Sequence, residues 1–104
     1  MRHFVVSPFA AEDLNDIWEY VTQEWDEAHA DATLRQFMTA FGDLAELPGK
    51  GHLRQDLTRL SLHFFSIDPY LIIYRRDSSP LAIHAVLHSS RNIRKLLRQR
   101  HLAR

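Results

Sequence analysis

One stretch, Leu60 to Ile93 (LSLHFFSIDPYLIIYRRDSSPLAIHAVLHSSRNI), constrains this chain more than any other. Three apolar runs, LSLHFFSI, YLIIY and LAIHAVLH, are rich in β-branched and aromatic residues and are separated by turn formers. Asp68-Pro69 interrupts the first junction and Asp77-Ser78-Ser79-Pro80 the second. Runs of this kind fit a pleated surface, and interruptions this short make antiparallel hairpins the economical connection. The stretch reads as a three-stranded meander that the rest of the chain must cover.

The upstream residues supply such a cover. Arg2 to Val6 suit a short strand added to the same sheet. Ser7-Pro8 then opens a helix, because serine is a favoured N-cap and proline is preset for the first helical position. Ala10, Leu14, Ile17, Val21 and Trp25 recur at spacings of three and four, predicting one amphipathic helix over Pro8 to Glu24. A second stripe, Ala30, Leu34, Phe37, Met38, Phe41, Leu44 and Ala45, follows Asp26 as cap and stops at Leu47-Pro48-Gly49. Trp18, Trp25 and the Phe and Met positions read as core. Gly49 to Asp56 reads as a polar surface link. The tail Asn92 to Arg104 has the spacing of a short basic helix, too short to be stable without the domain body or a partner. The expected fold is α+β in the order β-α-α-β-β-β, a helical hairpin on a small, mainly antiparallel sheet with a basic tail. With 104 residues, one domain spanning 1–104 is expected.

The formal net charge of zero hides a division. Residues 1–47 carry ten acids against Arg2 and Arg35, a net of −8, whereas residues 48–104 carry eleven bases against three acids, a net of +8. Such asymmetry points to a polyanionic or acidic partner for the basic half, or to mutual attraction of the halves. There is no cysteine, so disulfides and thiolate metal sites are excluded. No apolar run is long enough to span a membrane, and a cytoplasmic protein is expected.

Seven histidines raise the question of metal. No HExxH is present, and His84 and His88, placed by strand alternation on one face of the last strand, lack an acidic third ligand, so neither metal nor cofactor is expected. Metal-free cleavage of RNA would need a proton-transfer group and cations for the phosphorane. His63, His88, Tyr70, Tyr74, Arg75, Arg76 and Arg91 offer candidates. The basic tail with Arg75 and Arg76 could bind nucleic acid by charge, although the aromatic residues that stack bases are missing from the tail.

Ser7, Ala10, Asp13-Leu14, Ile17 and Tyr20, then Leu44-Ala45-Glu46-Leu47-Pro48, then Leu62 to Ile67 with Tyr70 to Arg75, and finally Val86 to Ile93 fall in one order. Together they resemble the ParE branch of the RelE/ParE superfamily of toxins from type II toxin–antitoxin systems. His63 stands where that family usually has arginine, Ser89-Ser90 where it has Gly-Ala, and Asn92 where it has aspartate. The superfamily's ribosome-dependent ribonucleases carry a central-strand arginine where this chain has Leu71, and an apolar side chain there cannot offset phosphorane charge. The resemblance therefore implies a toxin that inhibits DNA gyrase by protein contact and leaves RNase action, with His88, Tyr74 and Arg91, as the alternative beside an inactive regulatory role. It also implies a ParD-like antitoxin with an acidic, disordered segment, a toxin–antitoxin hetero-oligomer, and contact with DNA only through the antitoxin. His63, Arg75, Arg76, His88, Arg91, Arg94, Lys95 and Arg98 are the expected binding residues, and the acidic hairpin with the basic sheet margin the expected continuous surface.

Overall fold

A computed structural model describes residues 3–103; Arg2 and Arg104, assigned above to the first strand and the tail, lie outside them. Strand β1 (Phe4–Val6) leads into helices α1 (Pro8–Glu24) and α2 (Glu27–Glu46). A 3-10 turn (Pro48–Lys50), then β2 (His52–Leu53), β3 (His63–Ile67), β4 (Tyr70–Arg75), β5 (Leu81–His88) and α3 (Ile93–Gln99) complete the order. Five strands form one sheet, β1-β5-β4-β3-β2, antiparallel throughout except for the parallel pairing of β1 with β5. The meander is where the apolar runs predict it, and the fold is α+β.

Local chemistry accounts for the boundaries. Ser7 Oγ accepts from the Ala10 amide at 3.2 Å, and Asp26 Oδ1 accepts from the His29 amide at 2.8 Å, so both expected caps form. Helix α2 stops before Pro48, and Asn92 Oδ1 caps α3 through the Lys95 amide at 3.1 Å. Two readings need correction. The link after Pro48 contains an edge strand, β2, paired through His52 and Leu53 with Phe64 and His63; two residues are too few to show a period. Trp25 is 71% exposed, Phe9 44% and Met38 41%, so none of the three belongs to the core. Trp25 sits beyond the end of α1 with non-helical dihedrals, where the helical period no longer sets its direction, and it stacks on His29 at 5.1 Å.

Both faces of the sheet are covered. On one, Ile72, Tyr74, Leu81, Ile83 and Val86 pack with Leu14, Ile17, Phe37, Phe41 and Leu44 of the helical hairpin. On the other, Phe64, Ile73, Ala85 and Leu87 pack with Ile93 and Leu97 of α3 and with Leu62 of the preceding loop. The basic tail is thus ordered by the domain itself. A bulge in β5 makes this two-sided burial possible: Ile73 pairs with Ala85 but Tyr74 with Ile83, so His84 has no partner on β4. The extra residue returns Ile83 and Leu81 to the hairpin face, and it removes His84 from the alternation that would have set it beside His88.

Where β1 ends, α1 takes over the flank of β5. Ser7 Oγ donates to the His84 carbonyl at 3.0 Å, and the buried Asp13 carboxylate accepts from the Val86 amide at 3.0 Å. Arg100, just past α3, closes on the same carboxylate with two bonds of 2.7 Å, its guanidinium 4.9 Å from the centre of the Phe9 ring. Removing one partner of a buried pair strands the other charge, at a cost of about 3–5 kcal/mol. Arg100→Met is therefore predicted to lower the unfolding free energy by about that amount. Arg98→Met, two residues earlier and exposed, should change it by less than about 0.5 kcal/mol. Urea unfolding of the two variants checks this.

Candidate functional site

The residues singled out in the sequence fall into two groups at opposite ends of the sheet. His88 pairs with Tyr70 at the start of β4, whereas His63 pairs with Tyr74 near its end. Four residues of strand, about 13 Å, separate those levels. His63, Arg75 and Arg76 occupy one end; His88, Arg91, Arg94, Lys95 and Arg98 occupy the other. The expected continuous basic margin is in fact divided.

At the first end, Tyr74 is fully buried. Its hydroxyl donates to the Pro48 carbonyl at 2.6 Å and accepts from the Gly51 amide at 2.9 Å, and burial pushes its phenol up from the usual value. A Cβ at Gly51 would lie 2.6 Å from that hydroxyl and 2.8 Å from the Phe64 carbonyl, so the close approach requires glycine. Tyr74 thus anchors the 3-10 turn, and it stands near the end of β4, away from His88 and Arg91. The His63 ring lies 5.8 Å from that of Tyr74, and its buried Nδ1 has no hydrogen-bond partner among the described residues. Burial, then the charges of Arg76 and His52, hold its pKa below the ordinary 6.5. Exposed Arg75 pairs with Asp77 at 3.1 Å.

At the second end, His88 and Arg91 line a cavity of about 390 Å³ between α1 and the β4–β5 edge, together with Asp13, Asp16, Tyr20 and Tyr70. The His88 ring meets Tyr70 edge to face at 5.4 Å, and its Nδ1 accepts from the Ser90 amide at 3.0 Å. Asp16 and Arg91 flank this imidazole, and the Asp13 carboxylate beside it is already matched by Arg100, so the cavity holds no surplus of positive charge for a phosphate. The arginines converge on the other face of the sheet. There Arg54, Arg91, Arg94 and Arg98 line an open groove of about 730 Å³, with Leu57 and Leu71 among its apolar residues and Ser66, Ser89 and Asn92 among its polar ones. Arg94 donates to the Asp56 carbonyl at 2.6 Å, and Arg54 binds the Asp56 carboxylate with bonds of 2.9 and 2.8 Å, tying the 54–57 loop to α3. No histidine, tyrosine or glutamate lines the groove, so it offers cations without a group to move a proton.

The sequence reading overlooked Asp13 as a structural ligand, although an aspartate between Ala10 and Leu14 on an otherwise apolar stripe was a legible sign. Arg54 in the link was also overlooked. No group of three or more metal-ligating side chains occurs among the described residues, and no helix there is long and apolar enough to cross a membrane.

With this geometry in hand, comparison with known proteins is informative. The family described as "ParE toxin of type II toxin-antitoxin system, parDE" matches residues 4–93. The curated protein "Toxin ParE1" of Caulobacter vibrioides is 31% identical over 94 residues, covering 90% of this chain and 96% of that protein. A solved structure titled "Chromosomal ParDE TA system from P. aeruginosa" superimposes with a TM-score of 0.71 at 14% identity, covering 85% of this chain and 96% of that one, which shows a shared fold.

Stability should report on the half-buried histidines. His84, like His63, has its pKa held below 6.5, by burial first and then by Arg75. An imidazole depressed in the folded state stays neutral while the unfolded chain takes up a proton, so stability is lost as pH falls below about 6.5. Urea midpoints are predicted to drop between pH 7.5 and 5.5. The drop should be smaller in His63→Gln/His84→Gln, and an equal drop in that variant would contradict the assignment.

Proposed function

The chain belongs to the ParE toxin family of type II toxin–antitoxin systems, and on that premise we propose that it acts in the cytoplasm by binding DNA gyrase and blocking replication until a ParD-like antitoxin neutralises it. The observation that carries the reading is the groove around Leu71. Four arginines surround it, but no proton-transfer side chain does. Cleavage of a phosphodiester needs a positioned acid and base as well as charge stabilisation, whereas holding a protein surface needs only complementary shape and charge. His88 lies on the opposite face among carboxylates, and the Tyr74 hydroxyl is held by backbone groups.

The same features support neutralisation by an acidic segment. Arg91, Lys95 and Arg98 are exposed, and their side chains form no hydrogen bond or ion pair among the described residues. Folding a disordered acidic peptide onto them would release its charge repulsion and bury its apolar side chains. Because Arg75 and Arg76 stand at the far end of β4, the partner is expected to depend on the α3 cluster first.

Two assays run in parallel test the reading. Purified chain should abolish supercoiling of relaxed plasmid by gyrase and leave message intact in a coupled translation extract. Cleaved message with normal supercoiling would replace this reading by the ribonuclease one; no effect in either assay would leave an inactive regulator. Arg91→Glu/Arg98→Glu should also reduce co-purification of a co-expressed ParD-like antitoxin by at least tenfold, and Arg75→Glu/Arg76→Glu by less than twofold.

A further inference from the structure

The groove on the α3 face has a chemistry of its own, whatever the toxin's protein target. Arg94 and Arg98 stand four residues apart on one side of α3, about 6 Å along its axis, and Arg91 precedes them in the turn between β5 and α3. Arg54 and Arg94 are held in place by Asp56, which leaves Arg91 and Arg98 exposed and unpaired among the described residues. Arg59 and Lys95, also exposed, extend the positive field beyond the groove. Between the guanidinium groups lie Ser66, Ser89 and Asn92, neutral side chains that can donate hydrogen bonds. Planar guanidinium forks beside hydroxyl and amide donors are the set that binds the oxygens of a phosphodiester.

What the groove lacks narrows the ligand further. No Phe, Tyr, Trp or His lines it, so bases would find no platform, and single strands bind largely by stacking. No carboxylate lines it either; the nearby Asp56 carboxylate is already occupied by Arg54. We propose that this groove binds the phosphate backbone of duplex DNA without sequence preference and without cutting it. Direct contact departs from the expectation that the antitoxin alone brings the complex to DNA. A toxin that holds DNA in this way concentrates itself wherever a DNA-bound enzyme works, but the binding requires neither gyrase nor antitoxin.

Fluorescence anisotropy of a labelled 20-base-pair duplex, titrated with the purified chain, tests the proposal. Binding should be measurable at 50 mM salt and lost by 200 mM, with log K falling against log salt by about 0.9 for each phosphate engaged. Arg91→Gln/Arg98→Gln should weaken it at least tenfold and reduce the salt slope by about 2. Both side chains are exposed, so the variant's circular dichroism and melting should match the parent. Arg75→Gln/Arg76→Gln, at the other end of the sheet, should change affinity less than twofold. Duplex should bind more tightly than a single strand of equal length and be recovered intact. Absence of binding at 50 mM salt, equal loss in both double variants, tighter binding of single strands, or preference for poly-glutamate of matched charge would each overturn the proposal. The last would leave the groove to the acidic antitoxin segment proposed above and to no nucleic acid.

Discussion

A single buried carboxylate joins the parts of this molecule that the chain order keeps apart. Asp13, on the first helix, accepts from the Val86 amide of β5 and from two nitrogens of Arg100 at the C-terminal end. Strand β1 ends at Val6, so the flank of β5 beyond that level would have an exposed backbone donor without Asp13. A buried polar group left unpaired is costly, and a buried charge more so. The three-way contact satisfies both at once. It also fixes the direction in which the chain leaves α3, and Thr58, whose Oγ1 donates to the Leu102 carbonyl at 2.8 Å, holds the tail from the other side.

That anchorage decides what the basic half can do. Clamped between Asp13 and the sheet, α3 closes the second face of the core with Ile93 and Leu97 and turns Arg94 and Arg98 outward. The −8 and +8 division of the chain therefore does not collapse into a mesh of internal ion pairs; Arg100 with Asp13 is a pair that crosses it. Most of the acidic hairpin and most of the arginines remain available to partners. Separation of His88 from the arginine groove by the thickness of the sheet is the second consequence. His88 lines the hairpin-side cavity, whereas Arg54, Arg94 and Arg98 line the α3-side groove and Arg91 borders both, an arrangement that suits a protein that binds and does not cut.

Much of this was legible in the residues. The β-branched and aromatic runs LSLHFFSI, YLIIY and LAIHAVLH, bounded by turn residues, marked the strands, and the Ser7-Pro8 and Asp26 caps marked both helix starts, because those signals are local. The order of motifs from Ser7 to Ile93 gave the family. What could not be read depended on contacts across the chain. The bulge at His84 is set by the need to return Ile83 to the hairpin core, not by any turn residue nearby. Tyr74 has the same composition cue whether it is catalytic or structural, and only Pro48 and Gly51, more than twenty residues away, decide between them. Arg75 and Arg91 belong to one basic half on paper but to opposite ends of the sheet in space.

Amide hydrogen exchange at Val86 tests the central contact most directly. Its amide faces the side of β5 that no strand covers, so only Asp13 can protect it. If the Asp13 clamp joins hairpin, strand and tail, Val86 should exchange as slowly as the buried amides of Ile72 and Ile73, and the amide of Leu97 in α3 should open together with it. Rapid exchange at Val86, or an α3 that opens independently at much lower free energy, would contradict the account.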